Sequence, residues 1–308
     1  MAQTDAASLE TLEFSGLNET SLLAAALASR EGLDLFVHEH SYVRRRVVRS
    51  DPTNPAIIFL PDGPATIESY DNVIQRLKGE FTIVLIEIPG LGFSFPKSSE
   101  AMDFELISQI VAAAIIDLEL YNSVLVGCCF NGLIAARVAQ ITPESFAGII
   151  IAQTGDFKAE QNWFDEVLDP TGDLKKPFEG QVYFRLRRED AALRWWVPYS
   201  GGPKLDVDTF QREGRKVFDQ GCCYGLATMI QKWGSSSMPT TPDLTQTIPT
   251  CIVWGEADKS HAHTDKDSIC LYAPDASVIK LPDVGHFPDL EAPDVIAAQA
   301  RKLFIVGK

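Results

Sequence analysis

Short, unbroken apolar runs punctuate the first half of the chain: Ile57 to Leu60, Thr82 to Ile86, Ser123 to Val126 and Ala147 to Ala152. Runs of this length, with no polar alternation, suit strands covered on both faces. Between them lie longer stretches whose apolar positions follow helical spacing, near Tyr70 to Leu77, Phe104 to Leu118 and Phe130 to Gln140. Strand alternating with helix implies a parallel sheet joined by right-handed crossovers. Ahead of this series, Leu33 to His40 and Tyr42 to Arg49 read as an antiparallel opening pair. Near the end, strands around Cys251 and Val278 precede a terminal helix, Pro293 to Phe304. No internal repeat or low-complexity linker interrupts the pattern.

Local signals refine the picture. Asn18-Glu19-Thr20 predicts the cap of a short helix through Ser29, within an N-terminal extension over 1–30. Arg44-Arg45-Arg46 is expected to be a solvated edge strand rather than a phosphate site, with His38 and His40 at the surface. From Gln153 to about Asp243 the strand–helix rhythm stops. This interval holds Trp163, Trp195, Trp196, Tyr199, Phe210, Phe218 and Trp233, punctuated by glycine and proline, and predicts several short helices. The aromatics suit either a pocket for an apolar or aromatic ligand or the segment's own small core. Trp195, Trp196, Tyr199 and Trp233 are the lining candidates, and the Gly234–Asp243 stretch reads as the return loop.

The candidate chemistry starts at the end of the run Ser123 to Val126. Gly127-Cys128-Cys129-Phe130-Asn131 places a strand, a sharp turn and a helix in the pattern G-x-Nu-x-G, which thrusts one side chain above the sheet. The exposed position is Cys129. Gly127 stands at Nu−2, Asn131 replaces glycine at Nu+2, and Gly132 comes one place late; asparagine tolerates unusual backbone angles better than most residues. By register, Cys128 points to the underside and into the core. Four further signals stand at strand ends: Pro61-Asp62-Gly63-Pro64 after the first buried strand, Glu87-Ile88-Pro89-Gly90-Leu91-Gly92-Phe93-Ser94 after the second, Gly255-Glu256-Ala257-Asp258 and Gly285-His286-Phe287-Pro288.

Taken together, and over most of the chain from about Leu33 to Phe304, these motifs resemble the α/β-hydrolase family in the order nucleophile, acid, histidine. The resemblance implies a mostly parallel eight-stranded sheet flanked by helices, with a helical cap inserted after the sixth strand. The core domain is then 31–153 with 244–308, and the cap is 154–243. It further implies a Cys129–His286–Asp258 triad and an oxyanion hole from the backbone N–H groups of Gly63 and Phe130. The sequence departs from the family at Pro61 and Asp62, where His and Gly are usual, and at Glu87, where Asp is usual.

A thiol above a helix N-terminus is expected to ionise readily, with His286 taking the proton and Asp258 fixing the imidazole tautomer. Such a triad supports acyl transfer through a thioester, on an ester, thioester or lactone of moderate, apolar or aromatic character, such as a secondary metabolite. Two other readings stay open. One is a lyase, isomerase or cyclase using His286 as acid/base, with Asp62 as an additional proton donor or acceptor. The other is a catalytically silent ligand-binding protein. His261, His263 and Asp265 lack the further paired cluster expected of a metal site, and no metal or cofactor is implied.

Composition changes the picture in three respects. The formal net charge of −15 disfavours nucleic acid and anionic membrane as partners, leaving a small-molecule substrate, with a homodimer as a further possibility. No run of about 18 apolar residues is present, and the N-terminus has no basic region ahead of an apolar one, so neither a membrane span nor a signal peptide is expected. The six cysteines, two adjacent pairs among them, show no C-x-x-C spacing and are expected as reduced thiols in the cytoplasm.

Overall fold

The computed structural model describes residues 30–233 and 248–307. The helix expected through Ser29 and the return loop from Gly234 lie outside the described residues. One sheet contains β1 (Leu33–Val37), β2 (Ser41–Val48), β3 (Ala56–Leu60), β4 (Thr82–Ile86), the two-residue β5 (Phe95–Pro96), β6 (Ser123–Cys128), β7 (Phe146–Ala152), β8 (Thr250–Gly255) and β9 (Ser277–Leu281). Its order is β1-β2-β4-β3-β6-β7-β8-β9, with β5 pairing β2. The pairs from β4 through β9 are parallel, and β1, β2 and β5 are antiparallel. The expected eight strands are thus present, with β5 as a short addition. Every residue of β3, β4, β6 and β7 is buried, which is why those runs carry no polar alternation.

Helices α1 (Asp71–Leu77), α2 (Phe104–Ile116) and α3 (Phe130–Ile141) form the crossovers. Beyond β7 come α4 (Phe157–Trp163), α5 (Glu179–Arg187), α6 (Val197–Ser200), α7 (Val207–Asp219) and α8 (Cys222–Trp233). Wide π-type turns over Phe164–Leu168 and Arg188–Trp196 join some of them. After β9, α9 (Pro288–Glu291) and α10 (Pro293–Val306) close the chain. Among the described residues three α-helices begin at side-chain caps: Asp103 accepts from the Glu105 and Leu106 N–H groups of α2, Asp156 from the Ala159 N–H of α4, and Asp206 from the Thr209 N–H of α7. No helix among the described residues is long and apolar enough to cross a membrane.

The expectation of a solvated arginine edge is overturned. β2 runs between β1 and β4, so it is an interior strand. Arg44 is 1% exposed and donates to Glu68 at 3.0 Å and Glu87 at 3.3 Å. Arg45 donates to Asp34 at 3.0 Å and Asp117 at 2.8 Å. A charge run reveals its own sign but not the carboxylates that the fold brings to it from distant stretches. Buried charges of this kind persist only when paired.

Glu87 does more than pair Arg44. It accepts from the Ile67 N–H at 2.9 Å and the Phe93 N–H at 2.6 Å, closing the turn after β4. A Cβ on Gly92, whose φ is +55°, would lie 2.0 Å from the Glu87 carboxyl carbon, so this turn needs glycine there.

Candidate active site

The turn after β6 carries the site's strained residue. Cys129 has φ +53° and ψ −130°, a conformation that costs a non-glycine residue of order 1–3 kcal/mol and persists only when its surroundings enforce it. They do so here. The Cys129 N–H donates to the Ala152 carbonyl at 2.8 Å, and its carbonyl accepts from Gly132 N–H at 2.9 Å and from the Thr154 hydroxyl at 2.8 Å. A Cβ on Gly127 would lie 2.2 Å from the Asn131 carbonyl oxygen, and one on Gly132 would lie 2.1 Å from Thr154 Oγ1. Glycine is required at both, for close approach.

Asn131 needs no unusual backbone angles, contrary to expectation: it lies within α3, and the positive φ belongs to Cys129. Its amide donates to the Pro61 carbonyl at 2.8 Å, tying α3 to the turn after β3. Cys128 is buried as expected, its thiol against the His286 carbonyl at 3.0 Å.

His286, fully buried, stands between two carboxylates. Its Nδ1 is 2.8 Å from Asp258 and its Nε2 is 3.3 Å from Asp62. Asp258 also accepts from the Ser260 N–H at 2.8 Å and the Gln153 amide at 3.0 Å. Burial by itself would lower the imidazole, but Asp258, and then Asp62, outweigh it and push its pKa up to about 10. Burial raises Asp62, opposed by His286 and by the Gly63 backbone N–H. The Gly63 N–H expected in an oxyanion hole therefore faces Asp62's own carboxylate. The Phe130 N–H is directed at the Cys129 sulfur.

The thiol differs from expectation. Burial, with the Asp62 and Glu160 carboxylates adding to it, pushes Cys129 well above the ordinary thiol range despite the helix N-terminus beneath it. Its Sγ lies 3.7 Å from Glu160 Oε2, and the other Glu160 oxygen accepts from the Gly155 N–H at 2.6 Å. Glu160 is fully buried on the first turn of α4, and burial drives its carboxyl up to about 8. No motif announced Glu160. Its one sequence signal is its place four residues beyond Asp156, at the cap's first helix, where it turns back onto the elbow.

His261 is turned inward and buried, while His263 and Asp265 are exposed. Its Nδ1 pairs with Thr264 at 2.9 Å, its Nε2 has no partner, and burial lowers its pKa to about 3. Trp163 stacks on His261 with ring centroids 4.5 Å apart and on His286 at 5.7 Å. Cys129, His261 and His286 bring one sulfur and two ring nitrogens within 4.8 Å of one another, but both His286 nitrogens are engaged by carboxylates and the thiol is pushed well above its ordinary range, which does not suit metal ligation.

Above the elbow is a cavity of about 120 Å³ with a mostly apolar lining; Asp62 and Cys129 face it from the core, and Trp163, Phe164, Trp195 and Trp196 from the cap. Trp195 is 51% exposed at this lining, and Trp196 also packs edge-on to His286 at 5.0 Å. Tyr199 does not line the cavity and stacks on Trp195 at 5.0 Å. Trp233, 1% exposed, is core: Phe104 and Phe157 pack on it at 5.1 and 5.3 Å. The cap aromatics thus divide between pocket and core, which composition could not apportion.

Residues 57–299 match the family described as the alpha/beta hydrolase family. An uncharacterised hydrolase of Saccharomyces cerevisiae is 23% identical, over 76% of this chain and 83% of its own length. Haloalkane dehalogenase 2 of Mycobacterium tuberculosis is 22% identical, over 80% of this chain and 86% of its own. Among solved structures, an epoxide hydrolase of Vigna radiata superposes with a TM-score of 0.68 at 15% identity, covering 90% of this chain and 99% of its own.

Proposed function

The chain belongs to the alpha/beta hydrolase family, and from that premise we propose that it hydrolyses an ester, thioester or lactone of moderate size and largely apolar or aromatic character, with Cys129 as nucleophile. The observation that carries this reading is the strained backbone at Cys129, held with its thiol on the floor of an apolar cavity. Strain maintained by several hydrogen bonds at a nucleophilic side chain facing a pocket is the signature of a positioned nucleophile. Sγ attacks the acyl carbon, and the Phe130 N–H at the start of α3 turns to the developing oxyanion, a contribution of roughly 3 kcal/mol per donor. Water then releases the acid from the thioester. His286, oriented by Asp258, supplies the acid/base group next to that water. Haloalkane dehalogenase and epoxide hydrolase among the similar proteins support hydrolysis as the reaction class without naming this substrate.

One observation favours a second reading. Asp62 lines the cavity and meets His286 Nε2, while the thiol is held protonated. An Asp62–His286–Asp258 chain of this kind suits non-covalent proton transfer, as in a lyase, isomerase or cyclase. The two readings separate in a panel of aryl esters, thioesters and lactones. Under the hydrolase reading, His286→Ala and Cys129→Ala each abolish turnover. Full activity in Cys129→Ala excludes the covalent route, and full activity in His286→Ala excludes both.

A further inference from the structure

The covalent route leaves one question that the geometry answers differently from the sequence: which group takes the thiol proton. We propose that Glu160 is the general base for Cys129, and that His286, paired with Asp258 and Asp62, is not. This rests on the hydrolase reading above. The Cys129 thiol's hydrogen-bond partner is Glu160 Oε2, at 3.7 Å. His286 has both ring nitrogens engaged by carboxylates, Nδ1 by Asp258 and Nε2 by Asp62. A ring so occupied has no free lone pair for the thiol.

Glu160 is fixed for the task. Its far oxygen accepts from the Gly155 N–H at 2.6 Å, leaving the near oxygen free for the sulfur. The groups that act on it are the Gly155 N–H and His286, which favour its charge, and Asp62, which opposes it; Cys129 is its hydrogen-bonding neighbour. The carboxyl is displaced to about 8, close to the working range of a base that must hold and return a proton.

The step balances without another reactant. The S–H proton moves to Glu160 Oε2 as the sulfur lone pair forms the S–C bond to the acyl carbon. The C–O or C–S bond to the leaving group breaks, its electron pair departs with the leaving atom, and Glu160 returns the proton there.

The test is single-turnover acylation of Cys129 by an aryl ester, read by intact mass across pH, in wild type, Glu160→Gln and Glu160→Asp. In wild type the acylation rate rises with pH through a limb near 8. In folded Glu160→Gln the rate drops roughly 10²–10³-fold and that limb is lost. Glu160→Asp keeps the limb at a reduced rate. Glu160→Gln acylating at wild-type rate, or retaining the limb, overturns the assignment and returns the role to His286. Alkylation of Cys129 by iodoacetamide probes the same pair without acyl chemistry. The wild-type rate climbs in two steps, one of them near 8, and the Glu160→Gln rate in one. Superimposed alkylation profiles refute the Glu160 role; absence of acylation in wild type, with distinct alkylation profiles, refutes the hydrolase reading and leaves the Cys129–Glu160 pair intact.

Discussion

Asp62→Asn isolates the charge that distinguishes this site from an ordinary triad. The substitution keeps the side chain's shape and an oxygen that can still accept from His286 Nε2, at present 3.3 Å away, but it removes the negative charge. An opposite charge at such a distance shifts a neighbour by about 1–3 pKa units, or roughly 1.4–4 kcal/mol. His286 starts at about 10 and retains Asp258 at 2.8 Å, so in the variant it titrates at roughly 7–9. Histidine ring resonances followed by NMR across pH give this value directly.

Stability follows with a definite sign. His286 is raised above its ordinary 6.5, so its contribution is fully present below that value and lost as pH rises through about 10. Wild-type denaturation midpoints therefore fall between pH 6.5 and 10, and those of the variant fall over a narrower window. A His286 pKa unchanged by Asp62→Asn, within about 0.3 unit, would refute the claim that this carboxylate holds the imidazolium, since the expected shift is at least about one unit.

Trp233→Ala should destabilise the protein by about 3–5 kcal/mol in urea denaturation, because a fully packed ring leaves a cavity among Phe104, Phe130 and Phe157. Trp195→Ala, half exposed at the cavity, should leave stability within about 0.5 kcal/mol and raise KM for aromatic esters. Gly127→Ala puts a Cβ 2.2 Å from the Asn131 carbonyl; the elbow must shift, and acylation of Cys129 should be lost even where circular dichroism shows the protein folded.

The positions of Cys129 and Asp258 were legible because each follows a buried strand whose apolar run marks it and a glycine at the turn, whereas His286, after the partly exposed β9, is announced by its Gly285 turn alone. The parallel sheet was legible for the same reason. What escaped the sequence depends on burial and long-range charge. The elbow's helix N-terminus predicted an ionised thiol, yet burial, with two carboxylates from separate elements adding to it, Asp62 after β3 and Glu160 in the cap, reverses that effect. Asp62 was recognised as chemically odd, but its contact with His286 spans 224 residues. Arg44 and Arg45 carried no mark of the acids that bury them. Trp195 and Trp233 look alike in composition, and only packing separates a pocket wall from a core ring.

The central claim, that Cys129 attacks an acyl group, is tested most directly by brief exposure to an activated aryl ester and an acyl thioester, followed by intact-mass analysis and peptide mapping. A single acyl adduct is expected on the peptide bearing Cys129, absent in Cys129→Ala and released with time in wild type. Ester turnover with no adduct at any time, unchanged in Cys129→Ala, would contradict it and assign the chemistry to Asp62 and His286.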